Sequence, residues 1–131
     1  MKLLLDTHIW LWNHLEPAKL SQPVARRLAN PGNELWLSPI SLWELVLLES
    51  KGRIVLNDEV GDWVAKALRA QPLIEAPVTH EVALETRRAG IQHQDPADRF
   101  LVATAKVFGL TLVTADERLI EAGGIKVLAN R

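Results

Sequence analysis

The sequence predicts an α/β domain around a mostly parallel sheet, and three observations carry that reading. The chain opens on Leu3-Leu4-Leu5, an apolar run without alternation, as suits a strand buried on both faces. Short runs of this kind then alternate with helix-length apolar patterns down the chain. The connections are brief, with no linker, internal repeat or low-complexity segment, so residues 1–131 read as a single domain.

The first strand ends at Asp6. Ile9, Trp10, Leu11 and Leu15 then give a short apolar helix that Glu16-Pro17 closes. A second helix runs from Ser21, its cap, to Asn30, where Asn30-Pro31-Gly32-Asn33 marks a turn. Glu34 to Ser38 is the second strand. Ser41-Leu42-Trp43-Glu44 begins a strongly apolar helix that ends near Lys51-Gly52, and Arg53 to Leu56 reads as a brief extended piece. Asp58 to Ala70 is an amphipathic helix, with Val60, Trp63, Val64, Ala67 and Leu68 at helical spacing.

Pro72 to Pro77 is a short strand bracketed by prolines. Thr79 caps a helix reaching about Arg88, and Ala89-Gly90-Ile91 ends it. Asp95-Pro96-Ala97-Asp98 opens the next helix, with proline in its first turn. That helix runs to Phe108-Gly109 and is apolar nearly all round, so it should be central. Leu110 to Thr114 is a fourth strand, Asp116 to Glu121 a short helix, and Ile125 to Leu128 a last strand.

Composition narrows the class. A chain that is 48% hydrophobic and 24% charged is an ordinary globular protein. With no cysteine it has no disulfide, thiolate metal site or cysteine nucleophile, in agreement with a reducing cytoplasm. The apolar opening meets Asp6 too soon for a secretory signal, and no apolar run approaches the ~20 residues of a membrane span. The formal charge of −1 announces no polyanionic partner, yet an enzyme that grips phosphate through metal ions and a few arginines needs no basic surface. Trp10, Trp12, Trp36, Trp43 and Trp63 are expected in the core, because tryptophan carries a large burial energy. Trp43, beside Glu44, is the one best placed to offer a face to a base.

Four acids share one grammatical position. Asp6 follows the first strand, Glu44 sits in the first turn after the second, Asp98 in the first turn of the central helix, and Asp116 follows the fourth strand. In a parallel sheet every strand-to-helix junction falls on the same edge, where ligands bind. Each acid taken singly also fits a helix cap: Ser41-x-x-Glu44 and Thr114-x-x-Glu117 are capping boxes, Asp95 is a natural cap, and Asp6 or Thr7 suits the first helix. Jointly they ask for more. Like charges ~4 Å apart repel by ~4 kcal/mol at an effective dielectric near 20, so their pKa values rise or a cation compensates them. Oxygen ligands without cysteine or a histidine cluster select Mg²⁺ or Mn²⁺, ions that activate water and clamp the oxygens of a phosphodiester.

The motifs Leu3-Leu4-Leu5-Asp6-Thr7-His8, Ser38-Pro39-Ile40-Ser41-Leu42-Trp43-Glu44-Leu45, Asp95-Pro96-Ala97-Asp98-Arg99-Phe100-Leu101-Val102-Ala103-Thr104-Ala105 and Leu112-Val113-Thr114-Ala115-Asp116 together resemble a PIN domain. Within that family the likeness is greatest to the VapC-type toxins of bacterial toxin–antitoxin pairs. The resemblance implies a three-layer α/β/α sandwich and a divalent-metal-dependent endoribonuclease. It further implies Mg²⁺ or Mn²⁺ held by Asp6, Glu44 and Asp98, with Asp116 as a more variable fourth acid. Thr114 matches a hydroxyl position that assists such sites, and Asp95 is an extra acid upstream. A homodimer and a small antitoxin that blocks the site are implied in the same way.

Arg99 and Arg118 each follow a site acid and are candidates for contact with substrate phosphate or for pairing with carboxylates. His8 and His93 lie near the motifs. Lys51, Arg53, Arg69, Arg87 and Arg88 read first as solvated helix faces. Two rival functions stand beside the nuclease. Asp6-Thr7 after the first strand resembles the aspartyl nucleophile of metal-dependent phosphatases, but His8 occupies the place of their second aspartate. An acidic-pocket regulatory or RNA-binding module without turnover is the other.

Overall fold

Leu3, Leu4 and Leu5 are fully buried in the middle strand of a five-stranded sheet whose every pairing is parallel. The computed structural model describes residues 1–88, 95–121 and 123–131. The strands are β1 (Lys2–Leu5), β2 (Glu34–Leu37), β3 (Ile74–Glu75), β4 (Thr111–Thr114) and β5 (Lys126–Ala129), in the order β3-β2-β1-β4-β5. Leu4 faces Trp36 of β2 on one side and Leu112 of β4 on the other.

The helices are α1 (Thr7–Leu15), α2 (Gln22–Ala29), α3 (Pro39–Ser50), α4 (Val60–Ala70), α5 (His80–Glu85), α6 (Pro96–Phe108) and α7 (Glu117–Ile120). They cover both faces of the sheet. Leu3 and Leu5 pack with Ile9, Trp10, Val24, Leu28, Leu45 and Ala67 from α1 to α4. Leu4 and Leu112 point the other way and pack with Leu101, Val102 and Ala105 of α6 and Leu119 of α7. The alternation along β1 thus feeds two cores, and each buried leucine contributes about 1.5–3 kcal/mol to holding the layers together. The result is the three-layer α/β/α sandwich. Among the described residues no helix is long and apolar enough to cross a membrane.

Most elements fall where the periodicity put them, and the departures have local causes. The helix of residues 39–50 begins at Pro39 rather than Ser41, because Ser38 is the cap: its side chain accepts from the Ile40 amide at 3.0 Å, and the proline presets the first turn. Glu44 therefore lies in the second turn, and Ser41-x-x-Glu44 is not a capping box. Residues 53–56 form no strand but bends and irregular backbone. The proline-bracketed strand shrinks to Ile74–Glu75, and the helix after Thr79 turns 3-10 at Thr86–Arg88. Trp10 is wholly buried and Trp12, Trp36 and Trp63 partly so, but Trp43 is 49% exposed and belongs to no core. The helix stop at Ala89-Gly90-Ile91 and His93 lie outside the described residues.

Candidate active site

The chain leaves β1 towards β2 and leaves β4 towards β5, so the strand order reverses between these two neighbours. In open parallel sheets the crevice at the carboxyl ends of such a pair is where ligands bind. Asp6 follows β1 and Thr114 ends β4, and the two strands are stitched here by the Asp6 amide, which donates to the Val113 carbonyl at 2.9 Å.

Asp6 is 8% exposed. One carboxylate oxygen accepts from the Thr7 amide at 2.7 Å, capping α1, and the other accepts from the Thr114 hydroxyl at 2.7 Å. Burial raises its carboxyl above the ordinary aspartate range, opposed by the Thr114 hydrogen bond, the charge of His8 and the Thr7 amide, while Asp116 pushes it further up. Thr114 is engaged on both sides, since its hydroxyl also accepts from the Asp116 amide at 3.0 Å. That contact replaces the expected Thr114-x-x-Glu117 capping box. Asp116 itself caps α7, taking the Arg118 amide at 2.9 Å, while the Arg118 guanidinium pairs with it at 3.3 Å and Glu117 turns to Arg131.

Glu44 is brought to the same place by α3. The Thr7 hydroxyl donates to its carboxylate at 2.5 Å and lies 2.9 Å from the hydroxyl of Ser41, one turn earlier on α3. Burial raises the Glu44 carboxyl, against the Thr7 hydrogen bond, and the fields of Asp6 and Asp95 add to the rise. From α6 comes Asp98, 6% exposed, in the first turn behind the cap Asp95, which accepts from the Ala97 amide at 2.9 Å. Burial pushes the Asp98 carboxyl up to about 7, and Asp95, Asp6, Asp116 and Glu44 all push in the same direction. One carboxyl thus feels the other four acids, which reach it from residues scattered between positions 6 and 116.

Asp6, Asp95 and Asp116 cap helices, and all three also raise the Asp98 carboxyl, Asp6 and Asp95 that of Glu44 as well. The donor set is all oxygen, the chemistry that hard divalent cations take as ligands. Among the described residues no three carboxylate or histidine side chains are close enough together to share one ion as placed. The acids are coupled through their fields, not assembled into a cage. The capped amino ends of α1 and α6 add partial positive charge, which keeps carboxylates ionised and suits a phosphate.

Asp6 and Asp116 open onto a cavity of about 320 Å³ that His8, Trp12 and Ala115 also line. Arg99, one residue past Asp98, is exposed, as are Lys51, Arg53, Arg69, Arg87 and Arg88. Three contributors escaped the sequence. Thr7 read as a cap, yet its hydroxyl holds Glu44; Ser41 read as a cap, yet it faces Thr7; Trp12 read as core, yet it walls the cavity. The position of Thr7 one residue past Asp6 was the available signal.

The comparisons agree with this architecture. A family model for the PIN domain matches residues 3–125. Ribonuclease VapC22 of Mycobacterium tuberculosis is 35% identical over 120 residues, 89% of this chain and 88% of that one. Among solved structures, VapBC2 from Rickettsia felis bound to a DNA fragment from its promoter superposes with a TM-score of 0.74 at 16% identity, covering 98% of each chain. DNA-bound VapBC from Salmonella typhimurium superposes with a TM-score of 0.73 at 19% identity, again covering 98% of each. At such identities these two structures speak for the fold alone.

Proposed function

The chain belongs to the PIN domain family, and from that membership we propose that it is a divalent-metal-dependent endoribonuclease, the toxin of a type II toxin–antitoxin pair. The single observation that carries the metal-centred reading is Asp98, whose carboxyl is driven to about 7 by burial and by four other acids. Such crowding is relieved by a proton or by a bound cation, and a divalent cation is what lets several of these acids stay ionised together. Asp6, Glu44 and Asp98 are the residues that would hold Mg²⁺ or Mn²⁺, with Asp116 beside them. When bound, the ion supplies water activation and charge neutralisation at the scissile phosphate.

The chain's own groups do the rest. Thr114 and the Thr7 amide fix both oxygens of Asp6, and the Thr7 hydroxyl fixes Glu44, so the carboxylates meet the substrate already oriented. Asp95 adds negative charge that raises the Asp98 and Glu44 carboxyls, and Arg99, exposed one residue past Asp98, is our candidate for meeting an RNA phosphate. Arg118 pairs with Asp116 at 3.3 Å. Trp43 and Val46, exposed at 49% and 48% and one turn apart on α3, form an apolar stripe that supports a homodimer. A small antitoxin that closes the site and a cytoplasmic location complete the reading.

Labelled RNA incubated with the protein and Mg²⁺, Mn²⁺ or chelator tests it. Cleavage with metal, absent in chelator and lost in Asp6→Asn at retained fold, is expected. Undiminished cleavage by Asp6→Asn rejects the assignment, and turnover of a small phosphomonoester without RNA cleavage favours the phosphatase instead.

A further inference from the structure

Beside the acid-lined cavity lies a larger groove of about 480 Å³, and the two share a wall, since His8 and Trp12 line both. Its floor is the outer stripe of α1, where His8, Leu11, Trp12 and Leu15 recur at helical spacing. Leu48 of α3 and the irregular segment Arg53-Ile54-Val55 form the opposite side. The segment that failed to become a strand is thus the groove's far bank, with Val55 84% exposed.

We infer that this groove seats a nucleotide of single-stranded RNA next to the cleaved phosphate, with its base on Trp12 and its backbone on Arg53; the inference rests on the ribonuclease reading above. Three features favour RNA as the occupant. The groove shares His8 and Trp12 with the cavity onto which Asp6 and Asp116 open, so a strand held at those acids has this channel beside it. It pairs an apolar, aromatic floor for a base with cations for a phosphate, the combination that binds single strands without regard to sequence. Its charges are placed to adapt: Lys19 Nζ lies 5.4 Å from the Trp12 ring centroid and 3.2 Å from Glu16, at a half-exposed site that a base can displace. Lys19 then remains at the rim for the backbone. Arg53 is exposed and takes part in no ion pair among the described residues. A site for a protein segment is the competing occupant, and it predicts a different outcome.

The test compares wild type, Trp12→Leu, Trp12→Phe and Arg53→Ala with Mn²⁺ on two substrates. One is a labelled mixed-sequence RNA of roughly 12 nucleotides, within the span such grooves cover. The other is bis(p-nitrophenyl) phosphate, a diester with no nucleotide to seat. For Trp12→Leu the KM on RNA is expected to rise about tenfold with kcat changing far less, and the loss on RNA to exceed the loss on the small diester by a similar factor. Arg53→Ala is expected to raise the same KM about threefold, and Trp12→Phe to restore most of the RNA affinity. Equal losses on both substrates would mean damage to the acid site, and an unchanged KM on RNA would mean that the groove serves something else; either result overturns the inference. A wild type that cuts no RNA with metal defeats the ribonuclease reading itself, and this inference with it.

Discussion

The Thr114 hydroxyl donates to the Asp6 carboxylate over 2.7 Å, joining the ends of two neighbouring strands that lie 108 residues apart in sequence. This bond sits where the strand order reverses, and it opposes the effect of burial on Asp6. It therefore favours the charged form of a buried acid against the effect of burial, beyond its part in tying β1 to β4.

Thr114→Val removes that donor at nearly constant volume. The Asp6 carboxyl then rises further, because the hydrogen bond had favoured its charged form. The acid limb of the pH profile for metal-stimulated cleavage should move to higher pH, with activity lost on that limb and little lost at high pH. Kinetics of kcat/KM between pH 5 and 9 check this. A uniform loss at every pH would assign Thr114 a purely structural role.

Thr7→Val strips Glu44 of its hydroxyl donor and leaves Ser41 facing a methyl group. Stability should fall by only about 1–2 kcal/mol, the usual cost of leaving a polar partner unpaired. Turnover should fall about tenfold, since Glu44 loses the contact that orients it. Thermal melts and kcat measured on one preparation separate the two effects.

Stability of the metal-free protein should fall as pH rises. The Asp98 carboxyl titrates at about 7 in the folded chain against 3.8 unfolded, so between those values the folded state holds a proton that the unfolded state has released. Protonation therefore favours folding, and that advantage is lost progressively as pH rises from 3.8 to about 7. Asp6 and Glu44 are displaced in the same direction. His14, held below its ordinary value by burial, works in the opposite sense below about pH 6.5 and offsets part of the trend. The melting temperature in chelator should be higher at pH 5 than at pH 8, and Mn²⁺ should restore it at pH 8. A melting temperature that climbs from pH 5 to pH 8 in chelator contradicts the electrostatic account.

Trp43→Glu places a charge on the exposed stripe of α3. If that stripe is the homodimer contact, sedimentation should show the variant as a monomer at concentrations where wild type is a dimer. Two species of identical mass would place the contact elsewhere.

Much of this was legible in the residues, because the strongest signals are local. Leu3-Leu4-Leu5 suits a strand covered on both faces, and Asp95-Pro96 suits a helix start, and both elements form there. The pairing of Thr7 with Glu44 was not legible, because it depends on how far α3 is rotated about its axis. The cap is likewise Ser38, three residues earlier than the Ser41 pattern suggested. Trp43 misled for a related reason: burial energy favours a tryptophan inside, but the turn set by Ser38 and Pro39 presents it to solvent. Residues 53–56 carry a strand-like pattern, yet they pair with no described strand, and residues 53–55 line a groove instead.

The central claim is that Asp6, Glu44 and Asp98 hold a divalent ion together, and Mn²⁺ titration read by the electron paramagnetic resonance of the free ion tests it most directly. Wild type should deplete the free signal with saturation, while Asp6→Asn and Asp98→Asn should each weaken binding by tenfold or more, about 1.4 kcal/mol at least. Wild-type affinity in both variants, at retained fold, would contradict the claim and leave the acids as helix caps.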